Sequence, residues 1–223
     1  MSMRPCAIVL GLAVTLGLVL QAAGEPPREK GKDDEWKSLF DKKSLDGWKS
    51  ADFYSAGKVH VKDETIVMEK GKKLTGVTYA KDDFPKMDYE VSLEGKKIKG
   101  DDFFCTTTFP VGESFCSLVV GGWGGRVVGL SSINGSDASE NETRKDMDFN
   151  DNQWYRIRIR VSKERIEAWI DKEKVVDLDS KDLKISTRPE CNFNKPFGVA
   201  TYDTVGAVRD IRVRKLTEAD KKK

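Results

Sequence analysis

Apolar and polar residues alternate one for one along two stretches of this chain, and that period of two decides its fold class. Met87, Tyr89, Val91 and Leu93 fall on one side of an extended backbone, with Asp88, Glu90, Ser92 and Glu94 on the other. Tyr155, Ile157, Ile159 and Val161 form a second apolar stripe, opposite Trp154, Arg156, Arg158 and Arg160. After a turn, Ile166, Ala168 and Ile170 point inward and leave Glu167, Trp169 and Asp171 outward. The pattern predicts further strands over 58–61, 65–69, 76–80, 102–109, 114–120, 126–131, 174–178, 197–202 and 207–215. Turn-formers such as KDE, GKK, PVGE, SKER and DKEK punctuate them. About a dozen short strands in one domain argue for an all-β fold, a jelly-roll sandwich of two antiparallel sheets.

The ends of the chain read differently. Arg4, the apolar run from Ala7 to Leu20 and the small residues Ala22-Ala23-Gly24 read as a secretory signal peptide over 1–24. The run is shorter than the roughly 20 residues that span a bilayer. An uncleaved anchor is the alternative, and cleavage would leave no integral membrane span. The expected location is secreted or periplasmic. Residues 25–35 are polar with two prolines and read as a linker, 36–216 as the sandwich domain, and 217–223 as a solvated charged tail. The signal segment holds one of the 39 basic residues, which leaves 38 against 37 acidic in the mature chain. Near-neutral, interspersed charge argues against a nucleic-acid partner, which demands a basic stripe.

Export permits disulfides. Cys105 and Cys116 flank TTTFPVGESF, which reads as two strands around a turn. A register in which paired numbers sum to 221 would set them opposite, so a cross-strand disulfide is feasible; two buried free thiols are the alternative. Residues 131–146 form the one long polar loop, a length usually functional or mobile.

The stretch WKSLFDKKSLDGWKS, residues 36–50, opens the domain with two tryptophans among lysines. It resembles the start of the 3-keto-disaccharide hydrolase family, in which a Leu-Phe-Asn/Asp-Gly-x-x-Leu-x-Gly-Trp segment leads into the sandwich. VHVKDETIVME (59–69), MDYEVSLEG (87–95), WYRIRIRVSKERIEAWIDKEKV (154–175) and GAVRDIRVRKL (206–216) resemble later segments of that family in order. The resemblance implies a concanavalin A-like jelly roll, a saccharide or glycoside ligand on a concave face, and chemistry on sugars oxidised at carbon 3. A base would remove the acidified proton on carbon 2, and the group on carbon 1 would leave. Such chemistry needs donors or a divalent metal at the enolate oxygen; no other cofactor is implied. The sequence departs from the family where Val59 replaces a usual tryptophan. It departs again where the central strands, FFCTTTFPVGESFCSLVVGGWGG, carry only Glu113. Fold therefore transfers more safely than activity.

Each candidate residue has two readings. Trp123, in GGWGG, could stack on a sugar or fold back onto the core. Arg126 follows it as a candidate sugar contact. Arg156, Arg158, Glu90 and Trp169 offer donors, a carboxylate and a platform for substrate, or simply pair for stability. Glu167 is the first choice for general base. His60, the only histidine, reads as a strand residue rather than a base. Asp148, Asn150, Asp151 and Asn152 could bind calcium or merely form a turn. Trp36, Leu39, Phe40 and Trp48 are expected to plug one end of the sandwich. A lyase or hydrolase is the first functional expectation; a noncatalytic carbohydrate-binding or cell-surface interaction module is the second.

Overall fold

Two alternating stretches become the centre of one sheet. A computed structural model describes residues 36–221, so the expected signal peptide and linker lie outside the described residues. The strands in chain order are β1 (Lys37–Ser38), β2 (Trp48–Ser50), β3 (Val59–Lys62), β4 (Thr65–Met68), β5 (Leu74–Tyr79), β6 (Tyr89–Lys99), β7 (Thr106–Val111), β8 (Ser114–Gly121), β9 (Val127–Ser131), β10 (Lys145–Asp146), β11 (Trp154–Ser162), β12 (Arg165–Ile170), β13 (Glu173–Asp179), β14 (Gly198–Tyr202) and β15 (Val205–Lys215). An eight-stranded sheet runs β13-β12-β11-β6-β15-β4-β3, with β1 also paired to β15. A seven-stranded sheet runs β10-β9-β8-β7-β14-β5-β2. All pairings are antiparallel, as a jelly roll of the all-β class requires.

The inward stripes meet between the sheets. Val91, Leu93, Ile157, Ile159 and Ile166 of one sheet join Phe109, Leu118, Val120, Leu130 and Val199 of the other in one buried cluster. Burying each such side chain stabilises the fold by about 1.5–3 kcal/mol before entropy is counted. The outward side chains of the two sheets therefore lie on opposite sides of the molecule.

Residues 36–50 close one end, because β1 belongs to one sheet and β2 to the other. The indole Nε1–H of Trp48 donates to the Leu39 carbonyl at 2.7 Å, and its ring packs edge-on against Tyr79 and Phe197. Asp41 fixes the turn by accepting from the N–H groups of Lys43 and Ser44, both at 2.8 Å. Gly47 sits at φ +76°, a value glycine adopts at no steric cost. Leu39, Phe40 and Trp48 are buried, as the plug requires. Trp36 is not part of it: its ring lies over Arg212 and Arg214 on the outer face of the eight-stranded sheet.

The cysteine pairing needs correction. The tight turn Gly112-Glu113 pairs Val111 with Ser114 and Phe109 with Cys116, so paired numbers sum to 225 rather than 221. Cys105 and Cys116 are not opposite, and both are free and buried; burial pushes each thiol up to about 12. Residues 217–221 are mostly exposed, and they are tied to the sheet where Asp220 binds Arg214 at 2.7 Å and Lys221 binds Asp88 at 3.0 Å. The 131–146 loop is pinned onto the seven-stranded sheet. Asn141 Nδ2 donates to the Leu130 carbonyl, and Thr143 Oγ1 accepts from the Leu130 N–H. Among the described residues, no helix is long and apolar enough to cross a membrane.

Candidate functional site

On the outer face of the eight-stranded sheet, long charged side chains satisfy one another. Glu90 is 1% exposed and accepts from Arg158 at 3.2 Å, Arg160 at 3.0 Å and Arg214 at 2.9 Å. Such a carboxylate tolerates burial only because it is paired and hydrogen-bonded. Glu94 accepts from Arg156 at 3.2 Å and Arg209 at 2.8 Å. Burial pushes the Glu94 carboxyl up, but the two guanidiniums outweigh it and hold the group below its ordinary value. Trp169 lies under the Arg158 guanidinium at 4.0 Å. Glu167 is 6% exposed, with Lys174 at 2.7 Å and Arg160 at 3.6 Å. The hydrogen bond to Glu167 in turn raises the Lys174 ammonium.

The seven-stranded sheet presents a different outer face. Its outward row runs Ser131, Ser117, Thr108, Gly198 and Thr78 across five strands. These side chains are short, so a 3-10 turn, Pro189–Asn194, can lie directly on the sheet. A β-carbon on Gly198 would come within 2.6 Å of Asn194 Nδ2, which is why glycine is needed there. Beside this turn a cavity of about 470 Å³ remains. Trp123, Phe103 and Tyr202 line it, together with Asp102, Glu190, Arg188, Lys73 and Thr106.

The Trp123 wall depends on unusual backbone. Gly121, Trp123, Gly124 and Gly125 all have φ between +48° and +95°. Three glycines take such values freely, and Trp123 does so at a cost. The Gly124 N–H anchors the turn on Asp102 Oδ2 at 3.3 Å, while Asp102 Oδ1 accepts from the Phe103 N–H at 2.8 Å. Trp123 is left 44% exposed. Thr106, 2% exposed, also lines the cavity, and its hydroxyl finds no hydrogen-bond partner among the described residues. A buried polar group without a partner costs about 1–3 kcal/mol, so it marks where a polar ligand atom or water belongs.

The structure thus divides the predicted site. Glu90, Arg156, Arg158, Glu167 and Trp169 come together on the eight-stranded face. Trp123 stands alone on the other, and Arg126 turns away from the cavity to Asp148 at 3.3 Å. His60 sits on β3 near Glu69, away from both. Asp151 faces Lys97 rather than a shared centre with Asp148. Among the described residues, no three His, Cys, Asp or Glu side chains converge as a metal site. Sequence reasoning missed Thr106, Asp102, Phe103, Tyr202 and Arg188, which reach the cavity from separate elements and share no period. The run DDFF at 101–104 was the available signal, because two acids and two aromatics make a poor strand start.

A family model described as a 3-keto-alpha-glucoside-1,2-lyase-like domain matches residues 35–214. No curated protein matches the chain. Solved structures match in fold. A glycosyl hydrolase-like protein of Parabacteroides distasonis ATCC 8503 is 12% identical with a TM-score of 0.53, covering 86% of this chain and 99% of that one. The carbohydrate-binding module CBM66 of Bacillus subtilis is 11% identical with a TM-score of 0.52, over 76% and 96% of the two chains. The exoplasmic/lumenal domain of VIP36, in its Ca2+/Man3GlcNAc-bound form, is 12% identical with a TM-score of 0.55, over 83% and 90%.

Proposed function

Because this chain belongs to the 3-keto-alpha-glucoside-1,2-lyase-like family, a carbohydrate-related one, we propose that it is an exported protein that acts on 3-keto-glycosides in the cavity beside Trp123. One observation carries the choice of cavity. The partnerless hydroxyl of Thr106 and the aromatic wall of Trp123, Phe103 and Tyr202 line the same space. A saccharide offers what both lack, an apolar ring face for stacking and hydroxyls for hydrogen bonds.

The chemistry follows from the ketone. A carbonyl at carbon 3 acidifies the hydrogen on carbon 2. A carboxylate takes that proton, the carbon–hydrogen electrons form the ring double bond, and the carbon 1 substituent leaves with its bonding pair. Water then adds to the enone. Asp102 and Glu190 are the carboxylates that line the cavity, and Lys73 and Arg188 are the cations available to the enolate oxygen. Glu167 is the alternative base, on the opposite face.

A noncatalytic carbohydrate-binding module is the second reading. It is favoured because both Asp102 oxygens already accept backbone N–H groups and Glu190 is held by Arg188 at 2.7 Å. Paired native and 3-keto disaccharides, followed by mass spectrometry for the released group and the unsaturated sugar, separate the readings. Turnover of keto sugars alone, lost in Asp102→Asn or Glu190→Gln and kept in Glu167→Gln, supports the cavity lyase. Loss only in Glu167→Gln moves the chemistry to the other face. Binding without turnover makes the protein a module.

A further inference from the structure

Three large hydrophobic side chains stay exposed among the described residues: Tyr54, Trp123 and Phe193. Trp123 is already a wall of the cavity. Phe193 is 52% exposed and sits on the 3-10 turn Pro189–Asn194 that lies on the same sheet face. In such a turn residues three apart eclipse, and each residue rises about 2.0 Å. Cys191 and Asn194 form the buried side of the turn. Glu190 and Phe193 share another side, and Glu190 lines the cavity. Phe193 therefore continues the wall that Glu190 begins, about 6 Å further along the turn.

The surface between them is apolar. Phe193 meets the ring of Phe53 edge-on at 5.8 Å. Phe53 packs with Ala51 and Ala200, and Leu74 and Phe103 pack against that same cluster. Leu74 and Phe103 also line the cavity, so the apolar surface continues from the cavity toward Phe193. The sheet beneath carries short residues, because Ala200 pairs with Thr106 on one side and with Gly76 on the other. A β-carbon on Gly76 would come within 2.8 Å of the Phe53 ring. Glycine there lets Phe53 settle on the sheet and support Phe193.

We propose that Phe193 is a second stacking platform, which takes the group on carbon 1 of the sugar held at Trp123. Carbon 1 adjoins carbon 2, and Phe193 adjoins Glu190. A sugar with carbon 2 at Glu190 thus has Phe193 within reach of its carbon 1 substituent. An aromatic platform favours a substituent that is itself a ring with an apolar face, sugar or aryl, over a short alkyl group. The assignment rests on the cavity reading above, but it needs binding alone and no turnover.

Calorimetric titration of the full chain tests it, with methyl α-glucoside, phenyl α-glucoside and a glucose disaccharide as probes. These native sugars lack the ketone that the chemistry needs. The two probes with a second ring bind about ten-fold more tightly than the methyl glucoside. Phe193→Ala removes that gain and leaves methyl glucoside binding unchanged. Phe193→Leu, which keeps packing on Phe53 without a ring to stack, removes the gain as well and keeps the melting temperature. Trp123→Ala weakens all three probes. Equal affinity for the three probes overturns the proposal, and so does a gain that survives both Phe193 substitutions. If Trp123→Ala still weakens binding in that case, only the Phe193 platform falls. Binding indifferent to Trp123→Ala, or no binding of any probe, removes the cavity reading and the platform with it.

Discussion

Glu90 and Thr106 are buried to almost the same degree, on opposite faces of one sandwich, and only one of them has its partners. Glu90 is surrounded by three guanidiniums. Thr106 lines a cavity, and its hydroxyl has no partner among the described residues. The contrast comes from side-chain length. Arginine and glutamate on neighbouring strands reach across to each other and close the eight-stranded face. Serine, threonine and glycine on the seven-stranded face are too short to cover it, and they leave the cavity beside Trp123 open. A face that completes itself is structural where it is complete; a face that does not is where we propose the ligand.

The largest expected effect breaks the closed face. Glu90→Ala leaves three arginines facing one another and costs about 3–5 kcal/mol of unfolding free energy, measured from urea midpoints. A loss below about 1 kcal/mol, the range of exposed pairs, would mean that the network is ornamental and the contrast false. Acid should do gradually what that substitution does at once. Glu94 is held below its ordinary 4.5 and Asp220 far below its ordinary 3.8. Groups depressed in the folded state contribute stability above their unfolded values and lose it as pH falls through the folded ones. The melting temperature should therefore drop as pH goes from about 4.5 downward, and Glu94→Gln should flatten that drop. An unchanged slope in Glu94→Gln would remove Glu94 from the network.

The smallest effect sharpens the open face. Thr106→Val replaces a partnerless hydroxyl with a methyl group, so stability should stay within about 1 kcal/mol of the parent, or rise. Saccharide binding should weaken by about ten-fold. A clear loss of stability with full binding would show that Thr106 serves the core and not a ligand.

Much of the closed face was legible in the sequence, because the period of two assigns an outward side to Glu90, Arg158, Glu167 and Trp169 without knowledge of any partner. The alignment of its arginines was not legible. Strict alternation through VRDIRVR would put Arg209 on the side of Ile211 and Val213, and only the bulge at Asp210-Ile211 restores Arg209 and Arg212 to one face. The cysteine register failed for a related reason, since one tight turn at Gly112-Glu113 shifts every pair in the hairpin. The cavity was the least legible part. The predicted strand over 102–109 begins instead at Thr106, and the irregular residues Asp102 and Phe103 supply the rim. Trp123 was visible because glycines flank it. Tyr202 and Arg188 were not, because nothing in the local sequence separates them from ordinary strand-end and loop residues.

The most direct measurement is a crystal structure of the protein with a 3-keto-disaccharide bound. The sugar ring should stack on Trp123, with one hydroxyl within hydrogen-bond distance of Thr106 Oγ1 and its carbon 2 facing Asp102 or Glu190. A neutral keto sugar bound instead among Arg158, Trp169 and Glu167, with the Trp123 cavity holding only water, would contradict the division of the two faces drawn here.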